Sequence, residues 1–429
     1  MILPNSFCVL PWIHLDVAPD GAVGLCAEFR GEAGQCIGSR IPDVWQDDDL
    51  AQVRQSFLSG TPPASCAKCF EREASGETSL RQKQNKEYAQ EVASIAAAAD
   101  PLNAVPAAPV AIDLRFSNLC NFKCRSCWHG SSSKWFTDAK QLGQNLGESA
   151  VIKSFAGADA FLDQLSAGLE NLKHIYFAGG EPLLQEEHYD LLERLIALGR
   201  TDIRLMYNSN MSVLAFRDRA VVDLWRQFPR VWVEASVDAT GPLGANIRSG
   251  FDWDVFVTNI MALRRACPHV GLFFGITVSN MNVLALPDLL DTLEESCGAT
   301  PDAFHVHSLQ EQALYRTQVL PLELKNSAMR EIRDYQTRLA ARTDILPAQA
   351  APLNASLDGV VTFMMAQDLS HLMPAFADLT HRLDHLRGDD STDDFGQLGT
   401  YLRACQMRDD PRPNLIGKCR SLWRRFRPA

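Results

Sequence analysis

Between about residues 110 and 310, six short apolar runs alternate with longer amphipathic stretches, and this alternation constrains the fold most strongly. The runs are AIDLRFS, HIYFAGG, IRLMYNSN, VWVEASVD, GLFFGITV and FHVHSL. Each has strand length and is rich in β-branched and aromatic residues. The text between them carries a helical period, as in EEHYDLLERLIALG. Six βα units predict an α/β fold with a parallel sheet and right-handed crossovers. The sheet would be a partial (βα)6 TIM-like barrel, short of the eight units that close a full one. Polar residues gather at the C-terminal ends of the runs: Ser117-Asn118, Gly179-Gly180-Glu181, Asn208-Ser209-Asn210, Ser236 with Asp238, and Ser279-Asn280. In parallel α/β folds that end carries the chemistry.

The flanks differ. Residues 1–85 are turn-rich and cysteine-dense and read as a small separate domain. A hairpin is expected from IHLDVA, the turn Pro19-Asp20-Gly21, and AVGLC, because proline presets φ and glycine supplies a positive one. A helix over DDLAQVRQSFLSG should stop at Gly60. Residues 86–109, alanine-rich and then broken by prolines, read as a linker. Residues 110–310 form the barrel, and 311–429 a helical, leucine-rich extension with no motif of its own. That extension is expected to pack on the barrel.

No run of about 18 apolar residues occurs, so no spanning helix is expected. MILPNSFCVLPWIHL lacks a basic n-region and a small-residue cleavage site, so it does not read as a signal peptide. A cytoplasmic enzyme is the expectation. A net charge of −11 argues against a broad nucleic-acid surface. The tail is locally basic, with Lys418, Arg420, Arg424, Arg425 and Arg427, and reads as a solvated terminal helix, with a contact for an acidic leader peptide, RNA or a membrane surface as the alternative.

In a cytosolic chain, clustered cysteines suggest metal rather than disulfides. Cys120, Cys124 and Cys127 follow the first barrel strand at spacings that let one tight loop aim three thiolates at one centre. Structural metal sites are normally closed by four protein ligands, so three on a [4Fe–4S] cluster leave one iron open. A zinc loop borrowing a ligand from elsewhere is the alternative. Upstream, Cys8, Cys26, Cys66 and Cys69 form a second set, which a four-cysteine zinc site fits as well as iron–sulfur on ligand chemistry alone. Cys36 reads as a non-ligand, and Cys267, Cys297, Cys405 and Cys419 as structural.

C-N-F-K-C-R-S-C at this place, with GGEP at 179–182, resembles the radical S-adenosylmethionine (SAM) superfamily over the six βα units. The resemblance implies that Cys120, Cys124 and Cys127 hold a [4Fe–4S] cluster whose open iron is chelated by the amine and carboxylate of SAM. One electron then cleaves the sulfonium to a 5′-deoxyadenosyl radical. Gly179 and Gly180 permit close backbone approach. Glu181 offers a carboxylate to an ammonium, and Pro182 completes the motif. Asn208, Asn210, Ser236 and Asp238 could hydrogen-bond the ribose or the methionyl carboxylate, or serve as strand-end caps. Arg248 could offset that carboxylate. The residue before the third cysteine, often aromatic in the superfamily, is Ser126, so Trp128 or Phe122 is expected to take over packing on the adenine.

F-C-x-L-P-W-x-H-L, P-D-G-x-V-x-L-C and C-x-x-C-F-x-x-E resemble a twitch domain, the shorter relative of SPASM. This implies an auxiliary iron–sulfur cluster on Cys8, Cys26, Cys66 and Cys69, here ahead of the barrel. His14, His129, His305 and His307 are candidate acid/base groups, with His307 foremost. The resemblance implies a radical SAM oxidoreductase or maturase acting on a ribosomally made peptide, supplied with electrons by a partner such as flavodoxin or ferredoxin. A small-molecule substrate (a sugar or aminoglycoside precursor), RNA, or a non-catalytic metal-binding role are the alternatives.

Overall fold

The computed structural model describes residues 2–29, 40–74 and 78–406. Cys36 and the basic tail fall outside the described residues, as does Cys419. All six expected strands form: β3 (Ala111–Leu114), β4 (His174–Phe177), β5 (Arg204–Ser209), β6 (Val231–Ser236), β7 (Gly271–Val278) and β8 (Phe304–Ser308). The N-terminal hairpin supplies β1 (His14–Val17) and β2 (Val23–Gly24), turning at Gly21 with φ +83°. The sheet runs β8-β7-β6-β5-β4-β3-β1-β2 and does not close; every pairing is parallel except β1 with β2.

The place of β1 was not expected. It lies beside β3 in register from His14↔Ala111 to Val17↔Leu114, so the cysteine-rich module extends the barrel sheet. The reason is physical. Strand β3 would otherwise present a bare ladder edge. Leu15 and Val17 continue the buried face of Ile112 and Leu114. Laterally, His14 Nε2 meets Asp113 Oδ1 at 3.0 Å, and Arg115 pairs with Asp16.

Alternation along the strands sorts the residues into two layers. Ile175, Leu205, Val231, Val233, Phe274 and Ile276 are fully buried beneath the outer helices. The opposite face lines the lumen with Asp113, Arg115, Tyr176, Asn208, Glu234, Ser236, Thr277, His305 and His307. The stretch expected as a linker contains the helix Ala89–Ala97. Around it, Tyr88 donates or accepts at His174 Nδ1 (2.8 Å), while Trp12 and Trp45 donate to the carbonyls of Pro101 and Pro106. The helix at Asp48–Leu58 is capped by Asp47 and ends before Gly60, which has φ +80°. Long helices follow β8 at Leu322–Ala340, Pro347–Ala366 and Met373–Arg387. Among the described residues no helix is long and apolar enough to cross a membrane.

Candidate functional site

The loop of Cys120, Cys124 and Cys127 leaves the C-terminal end of β3 and is held on several sides. Trp135 Nε1 donates to the Cys124 carbonyl at 2.6 Å, and Ser132 Oγ to that of Phe122 at 2.5 Å. Lys123–Cys124 forms a two-residue antiparallel ladder with Arg248–Ser249. The amide of Arg125 donates to Ile247 O at 2.7 Å. Gln312 Nε2 donates to the carbonyl of Ser126 at 2.7 Å.

Burial pushes the Cys120 thiol up to about 12, and raises those of Cys124 and Cys127 as well; repulsion between neighbouring thiolates adds to this for Cys120 and Cys127. Arg248 opposes the shift at all three but does not overcome it. The protein alone therefore disfavours three thiolates here, and a bound cationic metal centre would supply the missing positive charge.

GGEP docks against this loop. Gly180 N donates to Ser131 O at 3.2 Å, and Glu181 N to Leu119 O at 2.8 Å. Gly180 has φ +58°, and a Cβ there would lie 2.2 Å from Leu119 O, so only glycine fits. Gly179 has φ +77°, and Pro182 opens a short 3-10 turn, Pro182–Leu184. The buried Glu181 carboxylate accepts from Leu183 N (3.1 Å), Ser209 Oγ (2.8 Å) and Asn210 N (2.7 Å). Burial raises its pKa, with those hydrogen bonds and then Arg248 acting against the rise. In this arrangement Glu181 ties two strand ends together.

Asn210 Nδ2 donates to Asn121 Oδ1 at 2.9 Å, linking β5 to the cysteine loop. Arg248 meets Asp238 Oδ2 at 3.0 Å, and Asp238 Oδ1 accepts from Thr277 N at 3.0 Å. Burial would lower the Arg248 pKa, but Cys124 and Asp238 hold it above the usual range. The three cysteines, Gly179, Gly180, Glu181, Asn210, Asp238 and Arg248 thus share one mouth of the sheet. Asn208 and Ser236 sit half-buried on the lumen wall below it. Phe122 is buried and packs edge-on to Phe251, whereas Trp128 lies edge-on to His129 at 4.9 Å. Of the two aromatic candidates, only Trp128 retains exposure.

Cys8, Cys26, Cys66 and Cys69 line a single cleft with Leu10, Phe57, Phe70 and Arg81. Cys66 and Cys69 are three apart across the junction of a 3-10 turn and the helix Ala67–Ala74, which puts them on one face. Burial raises the Cys66 and Cys8 thiols to about 12, with Arg81 among the groups that act against the rise at Cys8. Among the described residues no three His, Cys, Asp or Glu side chains gather around one point as a single ion requires. Thiolates bound to separate irons of a cluster need only share the cavity.

Several partners of the loop were not foreseen. Arg125 reaches Asn246 and Asp384, and Asp138 binds Arg387 at 2.8 Å. The only local signal was a lone arginine between two cysteines.

Residues 114–290 match the radical SAM superfamily, and residues 8–70 match SPASM, an iron–sulfur cluster-binding domain. Among solved structures, native anSMEcpe with bound AdoMet is 14% identical at TM-score 0.38, covering 54% of this chain and 61% of that one. Streptococcus suis SuiB bound to precursor peptide SuiA is 14% identical at TM-score 0.35, covering 68% of this chain and 64% of that one. The chain thus spans less than two thirds of the length of either protein. The first family brings SAM and a [4Fe–4S] cluster as cofactors, and the second an auxiliary iron–sulfur cluster. The chain therefore carries a radical SAM domain, with an iron–sulfur SPASM domain standing ahead of it.

Proposed function

We propose that the chain is a peptide-modifying oxidoreductase in which Cys120, Cys124 and Cys127 hold the SAM-cleaving cluster. One observation carries the reading: a three-thiol loop and a glycine-only turn dock on each other at the mouth of a polar lumen. When bound, the cofactors supply a 5′-deoxyadenosyl radical and an electron acceptor. Everything else falls to the chain. Gly179, Gly180, Glu181 and Pro182 shape the wall beside the three-cysteine loop that would hold the cluster. Arg248 and Asp238 offer the methionyl group a cation and a carboxylate, while Asn208, Asn210 and Ser236 offer hydrogen bonds to the ribose. Cys8, Cys26, Cys66 and Cys69 hold the auxiliary cluster.

The peptide class follows from the pairing of a SAM domain with a SPASM-type module, and the amide-compatible lumen (Asn208, Ser236, Thr277) supports it. Sulfur ligands and a low-potential cluster suit a reducing cytoplasm with flavodoxin or ferredoxin as donor. The test is anaerobic reconstitution with iron and sulfide quantitation, followed by reduction and assay for 5′-deoxyadenosine. Alanine at Cys120, Cys124 and Cys127 should abolish it; retained SAM cleavage would sink the assignment. Co-expression with short peptides encoded beside the gene, read by mass spectrometry, tests the substrate class. Modification of a sugar or RNA instead would replace it.

A further inference from the structure

We propose that Glu234 and His305 form a carboxylate–imidazole dyad in the lumen that accepts a proton from an N–H or O–H group of the substrate. The inference rests on the peptide-oxidation reading above and adds the group that takes the proton.

The dyad is built across three strands. Glu234 stands on the lumen face of β6, one side-chain step below Ser236. Gly275 of β7 is level with Ser236 on one side and with His305 of β8 on the other. A Cβ at Gly275 would lie 2.6 Å from Glu234 Oε1. Its backbone needs no left-handed φ, so what this glycine supplies is room. Through that gap the Glu234 carboxylate reaches over β7 to His305 Nδ1, at 2.6 Å. The imidazole also stacks on Phe273, with centroids 4.7 Å apart and planes within 13°. A carboxylate at Nδ1 makes that nitrogen the donor and leaves Nε2 as the acceptor.

Other titratable groups in the lumen are committed elsewhere. His14 is buried on Asp113, Arg115 pairs with Asp16, and His307 Nε2 meets the Thr277 hydroxyl, at 3.1 Å. Tyr176 is half-buried and feels the charges of Asp113 and Glu234. The His305 side chain is 47% exposed, so it can meet a substrate.

The balance is simple. A substrate C–H gives its hydrogen atom to the 5′-deoxyadenosyl radical, forming 5′-deoxyadenosine. An oxidised iron–sulfur cluster, held by the chain's cysteines, would be the oxidant that takes one electron from the resulting carbon radical. An adjacent N–H or O–H gives its proton to His305 Nε2 as the new bond or double bond forms. The substrate has lost two hydrogens, as one hydrogen atom, one electron and one proton.

The test uses the full chain with its clusters loaded. First, imidazole nitrogen NMR follows His305, assigned by loss of its signals in His305→Gln. Parent shifts should place the neutral ring's proton on Nδ1, and Glu234→Gln, close to isosteric, should shift the tautomer ratio toward Nε2–H. An unchanged tautomer ratio overturns the dyad. Second, peptide that co-expression shows to be modified is turned over in vitro. The ratio of oxidised peptide to 5′-deoxyadenosine should fall at least tenfold in His305→Gln and less in Glu234→Gln. Gly275→Ala should resemble Glu234→Gln. Iron content equal to the parent shows that each variant is folded. An unchanged ratio in His305→Gln overturns the proton role. No 5′-deoxyadenosine from the parent would overturn the radical reading instead. 5′-Deoxyadenosine formed with no peptide modified would overturn the substrate class.

Discussion

Arg125 and Asp384 stand 259 residues apart and form one buried ion pair directly behind the three-cysteine loop. The Arg125 Nε also donates to Asn246 Oδ1 at 2.8 Å, and Asp384 accepts from the Ser391 hydroxyl at 2.7 Å. The helical extension therefore helps to form the cysteine site. Replacing Asp384 by alanine leaves a buried guanidinium without its charge partner, which should cost about 3–5 kcal/mol. We expect the variant to unfold at lower urea and to hold less iron at 120–127. Unchanged stability would show the pair to be dispensable.

Gly180→Ala should damage the same site from the other side. The φ of +58° costs a β-carbon about 1–2 kcal/mol, before the 2.2 Å approach to Leu119 O is relieved. Iron bound per chain should drop, and SAM affinity by calorimetry should drop further than the melting temperature alone would suggest.

The seam between the N-terminal module and the barrel should respond to pH. Burial would lower the His14 pKa, but Asp113 raises it above 6.5; Asp113 is itself held below 3.8 by His14 despite burial. The His14 contribution is present below the ordinary histidine pKa and fades as pH climbs through the raised value. That of Asp113 is present above 3.8 and fades as pH falls through the lowered one. Amide exchange in β1 should therefore quicken above neutral pH. In Asp113→Asn that dependence should flatten.

Adjacent residues join the two cysteine sites. Glu311 binds Lys68, which lies between Cys66 and Cys69, at 2.6 Å, and Gln312 donates to Ser126 between Cys124 and Cys127. Because the ion pair is partly exposed, Glu311→Ala with Gln312→Ala should change stability by only about 1 kcal/mol. The spread of inter-cluster distances read by pulsed EPR should nevertheless widen. An unaltered distribution would mean that the sheet alone sets the spacing.

The six strands were legible because each is a compact apolar run with strand chemistry. The cysteine loop and GGEP were legible because their spacings are local. Less visible was how Glu181 is used. Its three backbone and hydroxyl donors come partly from β5, beyond the range of any local pattern. His307 stood out as the foremost histidine by position, yet the carboxylate that distinguishes His305 comes from two strands away.

The sequence by itself determined the alternating elements, the two cysteine sets and the turns that require glycine, since each depends on residues within a few positions of one another. Only the tertiary structure decided that β1 continues the barrel sheet, that Asp384 braces Arg125, and that Gly275 lets Glu234 reach His305. Those relations depend on ladder edges, buried charge and free space, which come into being when distant segments pack.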